Sequence, residues 1–102
     1  MSYALRVSSL ALLDIEDAIL WYEFRRKGLG EIVQECLYEG LDYISRYPLH
    51  CAKKYKEVRV KFISRFPYGI HFLVEGEVVK VIAFFHMKRD PESWTKRLSG
   101  EE

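Results

Sequence analysis

The feature that most constrains this chain is a change of hydrophobic period near residue 56. Before it, apolar residues recur every three or four positions; from there on they alternate. The first period lays an apolar stripe along a helix, and the second lays an apolar face along a strand. The chain has 102 residues, enough for one core and too few for two. Residues 1–102 are therefore read as a single domain in which helices come first and a sheet follows.

The helical half opens on a short strand. "YALRVS" (3–8) alternates, with Tyr3, Leu5 and Val7 on one side and Ala4 and Arg6 on the other. Ser8 or Ser9 can cap a helix, and Asp14, Glu16 and Asp17 suit its early turns through the helix dipole. Leu12, Ile15, Ile19 and Tyr22 follow helical spacing, with Ala11 and Ala18 alongside. "RRKG" (25–28) closes this helix with cations and a glycine. A second helix spans 29–46 on the stripe Val33, Leu37, Leu41 and Ile44, and Tyr47-Pro48 ends it. The short link around Gly28 and Gly30 makes the two helices antiparallel neighbours.

The second half reads as strands. "EVRVKFISR" puts Val58, Val60 and Phe62 on one face and Arg59, Lys61 and Ile63 on the other. "FPY" (66–68) is a bend. "YGIHFLVE" (68–75) and "VVKVIAFF" (78–85) are joined by a turn at Gly76. A last short helix starts at Asp90-Pro91, with the proline at its first position. The order β-α-α-β-β-β predicts an α+β, two-layer fold: a four-stranded antiparallel sheet with the helical hairpin on one face and a short C-terminal helix or tail. The first strand and the lysine-rich "YKEVRVK" are the expected edges.

Composition narrows the class. Apolar residues make up 49% and charged residues 30%, as in a soluble globular chain rather than a disordered one. No apolar run approaches the ~20 residues of a membrane span, and "MSYALRVSSL" does not read as a signal peptide, so a cytoplasmic location is expected. Cys36 and Cys51 read as reduced structural thiols in that setting. His50, His71 and His86 lack metal-ligand spacing, and no phosphate-loop or nucleophile-elbow motif occurs, so no metal or cofactor is expected. The net charge of +1 hides an asymmetry: residues 1–52 sum to −3 and residues 53–97 to +6. A basic second half suits an acidic partner, whether nucleic acid or an acidic protein segment.

The alternation suggests where such a partner sits. With Val58, Val60, Phe62, Ile70, Phe72, Val74, Val79, Val81, Ala83 and Phe85 turned to the helices, the opposite face collects Arg59, Lys61, Ile63, His71, Leu73, Lys80, Ile82, Phe84 and His86. Apolar groups ringed by cations mark a binding surface for RNA or for an amphipathic peptide. At the end of that face "FFHMKRDPESWTKR" brings His86, Lys88, Arg89, Trp94 and Arg97 together. His86 has the chemistry of a general acid or base near neutral pH, and equally that of a strand-end histidine bonded to a neighbour.

The stretches "ALLDIEDAILWYEFRRKGLG" and "RYPLHC", and the run from "EVRVKFISRFPYGIHF" to "FFHMKRDPESWTKR", resemble the RelE/ParE toxin superfamily of bacterial toxin–antitoxin systems, often called plasmid stabilisation proteins. The resemblance covers nearly the whole chain. Its most specific parts are "RFPYGIHF" and the pattern of His86, Arg89, Pro91, Trp94 and Arg97. It implies a toxin neutralised by a cognate antitoxin that wraps it, as a toxin–antitoxin hetero-oligomer or beside a homodimer. Ile63, Leu73, Ile82 and Phe84 are the apolar groups assigned to the antitoxin. ParE-like members poison DNA gyrase. RelE-like members cut messenger RNA on the ribosome, and in that branch His86, Arg65 and Arg89 would be catalytic. Arg59, Lys61, Lys88, Arg89, Trp94 and Arg97 are the expected contacts to target or nucleic acid. RelE-like enzymes carry an arginine early in the penultimate strand, where this chain has Gly69. "FPYGIHF" and the His86 pattern follow the ParE-like wording, so the gyrase branch is the nearer, ribosome-dependent RNA cleavage the alternative, and an inactive binding module a third reading.

Overall fold

A computed structural model describes residues 2–100. Strand β1 (Ala4–Val7) is tied down at its start by the Tyr3 N–H, which donates to the Ser45 carbonyl at 2.7 Å. Ser8 then caps α1 (Ser9–Arg25), its Oγ accepting from the Ala11 N–H at 3.1 Å. Gly28, with φ +91°, turns the chain into α2 (Leu29–Arg46). That conformation is open to glycine at little cost. Glu23 braces the same corner by accepting from the N–H groups of Gly28 and Gly30, and these bonds hold its carboxyl below the usual carboxylate range. Pro48–His50 form a single 3₁₀ turn, after which the chain is extended.

The sheet departs from the expected four antiparallel strands. It has five, in the order β1-β5-β4-β3-β2, where β2 is Lys53–Tyr55, β3 Val58–Phe62, β4 Tyr68–Glu75 and β5 Val78–His86. The pair β1–β5 is parallel and the other pairs are antiparallel. β2 has only three residues, too few for an alternation to show, and its pairing with β3 is irregular. It covers β3, so "YKEVRVK" is not an edge strand; the edges are β1 and β2. The hairpin between β4 and β5 turns on Gly76, at φ +61°.

Two features set which residues face the helices. Register pairs Arg59 with Phe72 and Lys61 with Ile70, so Arg59, Lys61 and Ile63 lie on the helix side and Val58, Val60 and Phe62 on the other. This reverses the expected facing of β3. Arg59 reaches the Cys51 carbonyl at 2.7 Å, and the Lys61 ammonium sits 4.4 Å from the centre of the Tyr43 ring on α2. On β5 an extra residue, Ile82, interrupts the register between His71↔Ala83 and Phe72↔Val81. The bulge shifts the phase. Val79, Val81 and Phe84 therefore join the core under the helices, while Ile82, Ala83 and Phe85 join a second cluster on the far face, so the expected sides of Ala83, Phe84 and Phe85 are exchanged.

The far face is not bare. Helix α3 (Pro91–Gly100) lays Trp94 and Leu98 over Val58, Ile82, Ala83 and Phe85. The helix-side core gathers Ala11, Ala18, Cys36, Leu37, Ile44, Ile63, Ile70 and Phe72. α2 lies tight on the sheet at Gly40, where a Cβ would stand 2.8 Å from Ile70 Cδ1. No helix among the described residues is long and apolar enough to cross a membrane.

Candidate functional site

Strand β5 delivers His86 to the rim between α1 and the sheet. The register sets Tyr68 opposite His86, and the two rings meet edge to face with centroids 5.2 Å apart. Tyr68 in turn stacks on Phe84 at 4.9 Å, and Tyr22 of α1 packs its edge on Phe66 at 4.9 Å. "RFPYG" is thus an aromatic anchor that holds the β3–β4 turn against α1. The result is a small cleft of about 200 Å³ bordered by Asp17, Trp21, Tyr68, His86 and Arg89. The His86 Nδ1 accepts the backbone N–H of Lys88 at 3.0 Å. A ring that accepts at Nδ1 carries its proton on Nε2.

Arg97 and Asp14 close the other side of β5. Both side chains are only 12% exposed, and the guanidinium grips the carboxylate at 2.8 and 3.2 Å. Asp14 Oδ2 also accepts the N–H of Phe84 at 3.0 Å, and Arg97 donates to the Ile82 carbonyl at 2.9 Å. β1 stops pairing at Val81, so these two groups of β5 have no strand beside them. The ion pair supplies the missing donor and acceptor and finishes the ladder. Arg97, read as a contact residue, is thus engaged inside the fold by Asp14 and the Ile82 carbonyl.

A buried polar cluster lies beneath α3. His71 is 2% exposed, and its Nδ1 is hydrogen-bonded to the Tyr55 hydroxyl at 3.0 Å. Its ring meets Trp94 and Phe85 edge to face at 5.1 Å. Burial, reinforced by the nearby Arg97 charge, pushes the His71 pKa down to about 4. Burial drives the Tyr55 hydroxyl up to about 12. Both groups are neutral near pH 7 and serve packing.

The residues read as functional do not come together. Arg65 is exposed in the β3–β4 turn at φ +72°, an unusual setting for a side chain other than glycine. Arg89 lies over the Phe85 ring at 4.1 Å and borders the His86 cleft, and Lys88 is exposed beside it. Arg59 and Lys61 are on the helix side with their own partners. Of the apolar quartet, Ile63, Ile82 and Phe84 are buried and Leu73 is half-buried beneath α3, so they do not form an exposed patch. Exposed apolar groups are scattered over several elements, Leu49, Phe62 and Met87 among them, and are most numerous on α1, which carries Leu10, Leu12, Leu13, Leu20, Trp21 and Phe24. Residues the sequence did not assign to the site are Asp14, Tyr55 and Tyr68. Only Tyr68 had a local cue, the "FPYG" wording; Asp14 meets Arg97 across 83 positions. Among the described residues no group of three or more His, Cys, Asp or Glu gathers for a metal.

No protein-family model and no curated protein matches the chain. Solved structures do. A chain from the chromosomal ParDE TA system of P. aeruginosa superposes with a TM-score of 0.72 at 17% identity, covering 83% of this chain and 96% of that one. A chain from the toxin–antitoxin complex RelBE2 of Mycobacterium tuberculosis superposes with a TM-score of 0.59 at 17% identity, covering 84% and 92%. At this identity the likeness is one of fold.

Proposed function

We propose that this chain is the toxin of a type II toxin–antitoxin pair, a ParE-like protein that acts on DNA gyrase in the cytoplasm and is neutralised by a cognate antitoxin. The observation that carries the reading is the fold, matched over 96% of a chain from a ParDE TA system. Fold alone does not assign a target, so the choice of branch rests on side chains. Gly69 is buried, and a Cβ there would come within 2.7 Å of Val60 Cγ1 and 3.2 Å of the Phe62 ring. An arginine cannot occupy that position without displacing both. The His86 Nδ1 is taken up by the Lys88 N–H, and among the described residues Arg65, His86 and Arg89 are not hydrogen-bonded to one another. These points favour a contact surface over a nuclease centre. Arg65, Lys88 and Arg89 are its exposed cations.

Growth arrest on induction, scored beside gyrase supercoiling and ribosome-dependent messenger cleavage by the purified protein, tests this. Supercoiling should be inhibited and RNA left intact. Arg65→Ala with Arg89→Ala should weaken inhibition about tenfold or more, because arginine is a common interface anchor. His86→Ala should change little. Messenger cleavage that falls by about 10²–10⁴-fold in His86→Ala would assign the RelE-like activity instead. Harmless expression without antitoxin would leave a binding module.

A further inference from the structure

Between the start of α1 and one flank of α3 lies an open depression of about 270 Å³, bordered by Leu10, Arg89, Ser93, Lys96 and Arg97. Helical spacing explains this company. On α3, Trp94 and Leu98 are turned to the sheet. Ser93 is followed at three and four positions by Lys96 and Arg97, which puts all three on the adjoining flank. Arg89 arrives from the turn between β5 and α3. None of these side chains is acidic, and three of them are cations.

The cations are not equivalent. Arg97 is neutralised by Asp14, which together with the Ile82 carbonyl holds its guanidinium in place. The Arg89 guanidinium rests 4.1 Å from the centre of the Phe85 ring, and that of Arg97 lies 4.9 Å from the same centre. Phe85 is buried, so one fixed ring positions both. Arg89 and Lys96 are exposed, and among the described residues neither has an acid within ion-pair distance. The Ser93 hydroxyl has no hydrogen-bond partner among them either. Asp90 is turned to the start of α3, where its Oδ1 accepts the Glu92 N–H at 3.1 Å and its carbonyl the Ser93 N–H at 2.9 Å. α1 carries no acid in its first turn, so the positive end of its dipole adds to the field, though a helix end alone would not make a site.

We propose that this depression binds a phosphoryl group, with Arg89 and Lys96 supplying the charge, Ser93 a hydroxyl donor and Leu10 an apolar wall for the carbon skeleton behind it. A phosphoryl group accepts at oxygens set on the corners of a tetrahedron, and so takes donors from several directions at once. Here they come from the β5–α3 turn and from side chains one turn apart on α3. A carboxylate offers its oxygens in a single plane. The depression takes the phosphoryl group and the first atoms of its carrier, which is either a small phosphate ester or a nucleic-acid backbone. No histidine and no carboxylate borders it, so it is a site that binds and does not cut. The inference does not rest on the toxin reading.

A nuclear magnetic resonance titration of the full chain with inorganic phosphate, at constant ionic strength, tests it. Amide shifts should cluster at Leu10, Arg89, Ser93 and Lys96 and saturate with a dissociation constant on the order of 1 mM. Lys96→Ala and Ser93→Ala should each weaken binding about threefold or more, and Lys96→Glu should abolish it, whereas Lys96→Arg should retain it. Glu92, four positions before Lys96, is the acid best placed to compete, so Glu92→Gln should tighten binding about twofold. These side chains lie at the surface, so thermal unfolding should stay in place and separate lost binding from lost fold. A short oligothymidylate that displaces phosphate from the same amides identifies the carrier as a nucleic-acid backbone; phosphoserine that displaces it where the oligothymidylate does not identifies a small ester. Shifts as large at Lys53, Lys54 and Lys56 as at Lys96 overturn the proposal, as does binding that survives Lys96→Glu. Acetate that binds as tightly as phosphate also overturns it, and gives the depression to an acidic peptide.

Discussion

His71 shows how much one buried residue can set. It is fixed between Tyr55, Phe85 and Trp94, with its pKa lowered to about 4 from 6.5 by burial first and the Arg97 charge second. Between those two pH values the unfolded chain binds a proton that the folded chain refuses, so stability falls as pH falls through that window. The depression corresponds to about 3 kcal/mol lost by pH 4, at roughly 1.4 kcal/mol per unit. In His71→Asn the amide oxygen can take the place of Nδ1 and nothing titrates. Urea unfolding at pH 7, 6, 5 and 4 should show a shallower decline for that variant than for the wild type; parallel declines would remove His71 as the cause. Arg97 sits at the same scale with a different lesson. Its ion pair with Asp14 serves the β5 backbone, so loss of activity on removing Arg97 has to be read against loss of fold. Breaking such a pair costs about 3–5 kcal/mol.

At the scale of elements, the boundaries of α2 and of the β4–β5 hairpin were legible, because long periods and a turn glycine report them directly. The facing of β3 was not. Alternation says that Val58, Val60 and Phe62 share a side, but not which side; only the pairing of Lys61 with Ile70 decides that. Cations were assigned to the open face because water was expected there, whereas Arg59 and Lys61 reach polar or aromatic partners at the margin of the helix layer. β5 hid its bulge because "VVKVIAFF" is apolar on both faces, so a shift of phase leaves no mark in the sequence. The same blindness explains the candidate site: Ile63 and Phe84 looked exposed only while the facing of β3 and the phase of β5 were wrong, and Ile82 only while the far face was read as bare. α3 was foreseen as a short helix, and Trp94 and Leu98 make it the cover of the far face. Its Trp94 is tightly placed yet imperfectly satisfied, since the buried indole N–H has no hydrogen-bond partner. An unpaired buried donor costs about 1–3 kcal/mol. Trp94→Phe, which keeps most of the ring and drops the donor, should therefore change stability by less than about 1 kcal/mol, while Trp94→Ala should cost about 3 kcal/mol through the cavity it leaves. Chemical denaturation of the pair checks this; equal losses would mean that the indole nitrogen is bonded after all.

For the molecule as a whole, the charge asymmetry of the sequence becomes a polarity of surfaces. Acids line the helical layer: Glu16, Asp17, Glu31, Glu35 and Glu39 lie on α1 and α2. Cations gather at the far edge and end of the sheet: Lys53, Lys54 and Lys56 on the β2–β3 hairpin, then Arg65, Lys88 and Arg89, all exposed. Among the described residues, Lys53 alone of the lysines on that hairpin has a close acid, Glu57 at 2.8 Å, and that pair is itself at the surface. A partner approaching the β2 edge therefore meets a positive field, whereas one approaching α1 meets apolar groups with an acidic middle. The antitoxin proposed for this chain should carry an acidic segment if it uses the β2 edge. Its association rate should then fall steeply with added salt, because steering is screened beyond about 8 Å at physiological ionic strength. Reversing Lys53, Lys54 and Lys56 to Glu should slow association about tenfold or more at low salt and much less at high salt, with dissociation little altered, since rim charges act on the encounter. Stopped-flow binding across a salt series measures both rates. An association rate that ignores salt, or a triple variant slowed equally at every salt concentration, would mean that the antitoxin reaches the molecule through its apolar helix face and not through the basic edge.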